Sequence, residues 1–280
     1  MTLTIIRNIL DLRKATAAWR AEGLTYAVVP TMGALHDGHI TLVREGLKLA
    51  DRVMTTIFVN PKQFAAHEDL GRYPRTEAAD VAMLAQAGAH LVFAPPPDEI
   101  YPPGFATSVT MAGPAKVGLE DKYRPQFFDG VATIVAKLFT QSAADFAMFG
   151  EKDYQQLMVV TRMARDLDLP IKVVGVPTVR EESGLAMSSR NAYLSKAQHH
   201  QAAALHQKLV NAARKIKAGQ KPSRATGAAR RSLALLGFRV DYVAARNAET
   251  LALPKSADEP LRLLAAAWLG NTRLIDNIAV

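Results

Sequence analysis

The chain of 280 residues contains no cysteine. That excludes disulfides, thiolate metal ligands and a cysteine nucleophile. It has no run of eighteen apolar residues, so no membrane-spanning helix is expected. The stretch Met1-Thr2-Leu3-Thr4-Ile5-Ile6-Arg7 lacks the charged start, long apolar segment and small-residue cleavage site of a secretory leader. A cytoplasmic location is the expectation. Acidic residues are the minority: 26 Asp and Glu stand against 34 Lys and Arg, a net charge of +8. Such a balance suits nucleic acid, a membrane surface or small anionic substrates. Much of the excess lies late, at Arg214, Lys215, Lys217, Lys221, Arg224, Arg230 and Arg231 on alanine-rich segments. Few aromatics lie among these residues, so no stacking platform for bases is formed. Neither nucleic acid nor a membrane is expected as the partner.

What is present is an alternation of strand and helix signals. Apolar runs at Tyr26–Val29, Arg52–Val59, Leu91–Phe93, Asp145–Phe149 and Ile171–Val176 read as strands. Helical spacing is expected over Ile9–Ala21, from His39 to about Ala50, from a Thr76 cap to Ala87 with Gly88 closing it, over Gly130–Phe139 and over Tyr154–Asp166. Thr107–Met111 reads as an edge strand inside an irregular Pro- and Gly-rich stretch. After Pro177 the composition changes: helices are expected at Lys196–Lys217 and Ser223–Leu236, then strands at Phe238–Val243, Leu261–Trp268 and Thr272–Asp276. The implied fold is α/β. A Rossmann-like parallel sheet with helices on both faces occupies residues 1–177, and a smaller C-terminal α+β domain occupies 178–280.

Four stretches carry chemistry. Pro30–His39 follows a strand and opens a helix, the place where ligands bind in open α/β sheets. His36 and His39 flank Gly38 there, and the helix start offers free N–H groups and a positive dipole end to phosphate. Gly33 and Gly38 would let backbone approach a nucleotide. A metal is the alternative use of the two histidines, although no third ligand stands nearby. At the next strand end, Asn60-Pro61-Lys62-Gln63 offers Gln63 as donor and acceptor for a hydroxyl and a carboxylate, or simply as a turn amide. Arg72 and Arg75 add two cations on the following loop. Gly150-Glu151-Lys152-Asp153 precedes a helix whose first turn holds Gln156. Gly150 allows backbone approach, Lys152 could neutralise phosphate, and Asp153 could accept from a ribose hydroxyl. Met187-Ser188-Ser189-Arg190 places two hydroxyls and a guanidinium at the junction of the two parts, a phosphate clamp or a capping serine pair.

These stretches, with Arg72–Thr76, Gly175–Asn191 and Thr272–Asn277, resemble the pantoate–β-alanine ligase family of the nucleotidylyltransferase superfamily, essentially over the whole chain. The resemblance implies ATP-dependent condensation of (R)-pantoate with β-alanine through pantoyl adenylate, in pantothenate and coenzyme A biosynthesis. It implies catalytic roles for His39, His36 and Lys152. It places ATP against Met32, Gly33, Ala34, Leu35, His36, Asp37, Gly38, His39, Gly150, Glu151, Lys152, Asp153, Val179, Met187, Ser188, Ser189 and Arg190. Gln63 and Gln156 would hold pantoate, with Gln63 also near β-alanine. Mg2+ would accompany ATP with few protein ligands and no dedicated metal site, the small domain would close over the ATP, and the protein would be a homodimer. A nucleotidylyltransferase that leaves the nucleotide on its product is the alternative, which the Gln63 and Gln156 pair argues against. Three places depart from the family pattern. Gln126-Phe127 replaces the usual Gly-His, Asp121 replaces a glycine after Leu119-Glu120, and the loop Phe64–Asp69 lacks its usual Gly and Asn.

Overall fold

The computed structural model describes residues 3–65, 68–256 and 258–280. In chain order the elements of the larger part are β1 (Thr4–Ile6), α1 (Ile9–Ala21), β2 (Tyr26–Thr31), α2 (Asp37–Leu49), β3 (Arg52–Ile57), α3 (Glu77–Ala87), β4 (Leu91–Phe93), α4 (Pro97–Ile100), α5 (Glu120–Tyr123), α6 (Phe127–Ser142), β5 (Phe146–Gly150), α7 (Tyr154–Asp166) and β6 (Lys172–Val176). The smaller part holds α8 (Lys196–Ala202), α9 (Ala204–Lys217), α10 (Pro222–Leu235), β7 (Arg239–Asn247), β8 (Leu261–Leu269) and β9 (Thr272–Ala279).

The near-continuous apolar strands alternate sides, which is why both faces of the sheet can be covered. Tyr26, Val28, Met54, Phe93, Ala147 and Phe149 turn to one face and pack under α1, α6 and α7. Ala27, Val29, Val53, Val92 and Met148 turn to the other, under α2 and α3. The six-stranded sheet runs β1-β4-β3-β2-β5-β6 with parallel neighbours throughout. The order reverses between β2 and β5. The helices that follow these two strands, α2 and α7, leave to opposite faces, so a crevice opens at the strands' carboxyl ends.

The antiparallel sheet β7-β8-β9 is covered on one face by α9 and α10, through Leu205, Leu209, Ala229 and Leu233. Its other face, through Leu264 and Tyr242, meets Leu119, Tyr154 and Met158 of the larger part. This is the α/β architecture expected, a parallel sheet flanked by helices plus a small antiparallel-sheet domain.

Several local expectations change. Thr107–Met111 is not a strand; the Val109 N–H donates to Thr133 Oγ1 (3.0 Å) and no described strand lies beside it to form a ladder. The helix expected over Lys196–Lys217 is divided at Ala203 into α8 and α9, although Ala203 itself keeps right-handed helical backbone angles. Thr76 begins α3 without a side-chain cap; its hydroxyl donates instead to Asp80 Oδ1 (3.1 Å). The three-residue β1 and the one-turn helices α4 and α5 carry too little periodicity to be read in advance. Of the departing loop Phe64–Asp69, Ala66 and His67 lie outside the described residues.

Candidate active site

The His36–His39 turn sits at the end of β2, on the crevice, and is built from outside itself. Gly33 and Ala34 both take positive φ (82° and 51°), which turns the chain sharply after the strand. The N–H groups of Ala34 and Leu35 donate to the buried carboxylate of Asp80 on α3 (both 2.9 Å). A Cβ on Gly33 would stand 3.1 Å from Asp80 Oδ2, so the close approach of this carboxylate favours a glycine there. Gly38 is similarly explained: a Cβ there would lie 2.8 Å from the His36 ring.

The two imidazoles have defined tautomers. The Gly38 N–H donates to His36 Nδ1 (3.1 Å), and the His36 N–H donates to His39 Nδ1 (3.3 Å), a reciprocal cap at the start of α2. With both Nδ1 atoms accepting, each ring carries its proton on Nε2. The rings lie 4.1 Å apart between centroids. Burial first, and then the nearby Lys152 ammonium, pushes His36 down to about 4. Burial, His36 and Lys152 push His39 down to about 3. Both are therefore neutral N–H donors in the ligand-free protein, and their role is donation from a fixed dipole rather than delivery of a resident proton.

Across the crevice, Gln63 is buried and oriented. Asn60 Nδ2 donates to Gln63 Oε1 (3.0 Å) and to the Gly130 carbonyl (3.1 Å), and Tyr101 OH donates to Asn60 Oδ1 (2.7 Å). Gln63 Nε2 points at Met32 Sδ (3.0 Å). The close seat of α6 on this turn requires Gly130, whose absent Cβ would be 2.2 Å from the Lys62 carbonyl oxygen. Phe127 stands where the resemblance leads one to expect histidine. It is buried, lies 3.7 Å under the Arg124 guanidinium and packs on Phe128. Asp121, in place of the expected glycine, accepts from the N–H groups of Gly118 (2.9 Å) and Leu119 (3.0 Å) and from Gln155 Nε2 (3.1 Å).

Two loops close the crevice. In the first, Lys152 Nζ lies 3.5 Å from Asp153 Oδ2, and the neighbouring Glu151 turns away to Arg262 (2.8 Å). In the second, Ser189 Oγ donates to the Ala34 carbonyl (2.9 Å) and Arg190 forks onto Asp69 (3.0 and 2.9 Å). The guanidinium is thus already paired, while Arg124 is paired to Glu68 (2.6 and 2.9 Å). A buried cluster ties the sheets together: Arg273 of β9 meets Glu120 (2.7 and 2.8 Å) and Asp241 (2.9 Å), and Tyr242 OH donates to Glu120 Oε1 (2.8 Å).

A cavity of about 230 Å³ is lined by Met32, His36, Gly38, His39, Gln63, Gly150, Lys152, Asp153, Gln156, Val179, Met187, Ser188, Ser189 and Arg190. A second, of about 700 Å³, lies between the two parts and shares Lys152, Asp153, Gln156 and Arg190 with the first. Together they reach the size of a nucleotide-bearing cleft. Gly33, Ala34, Leu35, Asp37 and Glu151 do not line either cavity: the first three form the Asp80-held turn, Asp37 is exposed, and Glu151 is engaged by Arg262. Arg72 borders the larger cavity, whereas Arg75 is exposed and lines neither. Sequence reasoning missed Asp80, Thr178 and the apolar wall of Phe58, Val131, Ile134 and Leu138. Thr178 lines the smaller cavity with a buried hydroxyl that has no partner among the described residues. Among the described residues no three His, Cys, Asp or Glu form a metal cluster.

The family model described as pantoate-beta-alanine ligase matches residues 4–279. A pantothenate synthetase from Nitrobacter hamburgensis is 54% identical over 277 residues, 99% of this chain and 98% of that protein. Another from Ruegeria pomeroyi is 54% identical over 281 residues, 100% of this chain and 98% of that one. Among solved structures, a pantothenate synthetase from Thermus thermophilus superposes with a TM-score of 0.92 at 43% identity, covering 98% of each chain. A pantoate-beta-alanine ligase from Francisella tularensis, complexed with beta-gamma ATP and beta-alanine, gives 0.82 at 30% identity over 99% of this chain and 97% of that one.

Proposed function

The chain belongs to the pantoate–β-alanine ligase family, and from that membership we propose how its cleft works. The reaction is ATP-dependent formation of an amide bond between pantoate and β-alanine, giving pantothenate, AMP and pyrophosphate. A carboxylate is a poor acyl donor at neutral pH, so it must first acquire a good leaving group. One pantoate carboxylate oxygen attacks the α-phosphorus of ATP, the bond to the bridging oxygen breaks, and pyrophosphate leaves. The β-alanine amine then attacks the acyl carbon of the adenylate, loses a proton, and AMP departs with the former carboxylate oxygen.

The protein's part is positioning and charge stabilisation. His36 and His39 donate Nε2–H to phosphate oxygens, and Lys152 supplies the adjacent positive charge. Met32, Gly38, Gly150, Asp153, Val179 and the Met187–Arg190 loop complete the nucleotide side. Gln63 and Gln156 hold pantoate against the apolar wall of α6, and Gln63 also borders the β-alanine position. Gly33, Ala34, Leu35, Asp37 and Glu151 serve the nucleotide by shaping the turns. The single observation that carries this reading is the convergence of two Nε2–H donors, Lys152, Gln63 and Gln156 on one cavity at the sheet's switch point.

Mg2+ fits as a companion of ATP: the described residues offer Asp153 as a lining carboxylate and no protein cage among them, which suits a cation held mainly by phosphate oxygens and water. When bound it offsets phosphate charge. We also propose the domain division at 177/178, a cytoplasmic location and a homodimer. Light scattering should then give twice the chain mass of 30.4 kDa.

The test is AMP formation from ATP, pantoate and β-alanine with each omitted in turn, together with pantoate-dependent exchange of pyrophosphate into ATP. His39→Ala should slow exchange by about a hundredfold or more, the usual cost of a lost preorganised donor. Full exchange activity in that variant refutes the assigned role, and a stable nucleotidylated product without AMP refutes the ligase reading.

A further inference from the structure

The motif Thr272–Asn277 ends in two residues that border the larger cavity and have no role assigned above, and both are almost fully buried, each 3% exposed. Asn277 uses its whole amide. Nδ2 donates to the carbonyls of Glu151 (2.8 Å) and Lys152 (2.9 Å), and Oδ1 accepts from Arg262 Nε (2.7 Å). The orientation is unambiguous, because carbonyls only accept and a guanidinium only donates. Two successive peptide groups of the turn that carries Lys152 are therefore held by one side chain from β9. Arg262 adds a second hold by pairing with Glu151 Oε2 (2.8 Å).

The residue before it holds the other loop. Asp276 takes a bidentate bond from Arg180 (2.8 and 2.9 Å) and accepts from the Asn277 N–H (2.7 Å). Arg180 also donates to the Gly184 carbonyl (3.0 Å) and bridges to Ala186, so it fixes the hairpin from which Met187–Arg190 emerges. Neighbouring residues on one strand of the small domain thus set the two nucleotide-facing loops relative to each other.

We propose that Asp276 and Asn277 are positioning residues for the first half-reaction: they register Lys152 against the Met187–Arg190 loop, and so align the triphosphate for adenylate formation. The proposal rests on the assignment of those two loops to ATP. Its consequence is selective. A misplacement near 1 Å in an aligned site costs about a hundredfold in rate, and here it falls on the step that uses the triphosphate. Attack of β-alanine on preformed pantoyl adenylate has no triphosphate to align and is spared.

The experiment compares both half-reactions in Asn277→Ala, Asn277→Asp and Lys152→Ala. Asn277→Asp keeps the volume but presents oxygens to two carbonyls, so it separates donation from packing. Both Asn277 variants should slow pyrophosphate exchange about 10- to 100-fold, with β-alanine-dependent consumption of supplied pantoyl adenylate within about twofold of the parent protein. Exchange impaired in Lys152→Ala but normal in the Asn277 variants overturns the proposal, as does an equal loss in both half-reactions. Normal exchange in Lys152→Ala overturns the loop assignment beneath it, and is distinguished by that variant alone. Should the Asn277 variants not fold, Arg180→Lys carries the test, since it retains the charge and loses the fork. The expected result is a KM for ATP raised about tenfold with adenylate consumption unchanged, and an unchanged KM for ATP overturns the proposal.

Discussion

The neutral histidine pair makes a prediction about acid stability that needs no substrate. In the folded protein both rings sit near pKa 3 to 4, against an ordinary value of 6.5. Unfolding exposes them, so below 6.5 the unfolded chain binds protons that the folded chain refuses. The stabilisation is complete above about 6.5 and is lost as pH falls towards the folded values. At about pH 5 each ring contributes a loss of about 2 kcal/mol, because 1.5 pH units below the unfolded value correspond to about 1.36 kcal/mol each. The pair therefore removes about 4 kcal/mol between about pH 7.5 and 5, whatever the precise folded values below that window. For a chain of this length, with an unfolding entropy near 0.6 kcal/mol per kelvin, the melting midpoint should fall by about 7 °C from this cause alone. Asparagine at both positions keeps an acceptor oxygen for the helix cap and removes the titration. Calorimetry of the parent and of His36→Asn/His39→Asn across this range isolates the effect from carboxylates common to both. Parallel losses in the two proteins would refute the burial argument.

Asp80→Asn should leave one of the Ala34 and Leu35 N–H groups without its acceptor and lower stability by about 1–3 kcal/mol, read as a denaturant midpoint; no change would show the turn to be self-supporting. Gly130→Ala should cost about 1–3 kcal/mol or more, since its methyl meets the Lys62 carbonyl at 2.2 Å, and a parent-like melting curve would contradict that contact. Asp69→Asn should free Arg190 from its bidentate partner and tighten ATP binding by about three- to tenfold, measured by calorimetric titration, because a neutral amide competes less well than a carboxylate for a guanidinium; weaker binding would show that Asp69 supports the loop more than it competes with phosphate.

What could be read in advance was whatever the chain writes locally. The strand Tyr26–Val29 followed by Gly33, His36, Gly38 and His39 announces a strand-to-helix turn within ten or so residues, and the structure shows it at the switch point. The long amphipathic helices α6 and α7 were equally plain. The reasons behind the glycines were not. Gly38 accommodates the ring of His36, two residues before it, and Gly33 the carboxylate of Asp80, which lies far along the chain and outside the motif. Arg190 looks like a free cation in the sequence, whereas Asp69 stands beside it in the fold, and Arg273 finds Glu120 across 153 residues. Pairings of that range obey no spacing rule, so ion pairs and supporting carboxylates stayed illegible, as did Thr178 and the apolar wall, while the polar lining residues at the strand ends could be read. The small strand β1 failed for the opposite reason: three residues contain too few periods to register.

The position of β2 in the sheet bears on the order in which the molecule assembles. Its β3 neighbour is the next strand in the chain, but its β5 neighbour is distant: the Tyr26 N–H reaches Asp145 across 119 residues. Closing so long a loop carries an entropic cost before any contact rewards it, and non-local parallel pairing is slow for that reason. The β2–β5 seam is therefore expected to form after β2 and β3 have paired. Because the seam is also where the histidine turn meets the Lys152 turn, a partly folded chain would hold much of its core and no working cleft. Pulse-labelling hydrogen exchange during refolding should show β3 amides protected ahead of those of β5, and ligand-binding ability should appear with the later phase.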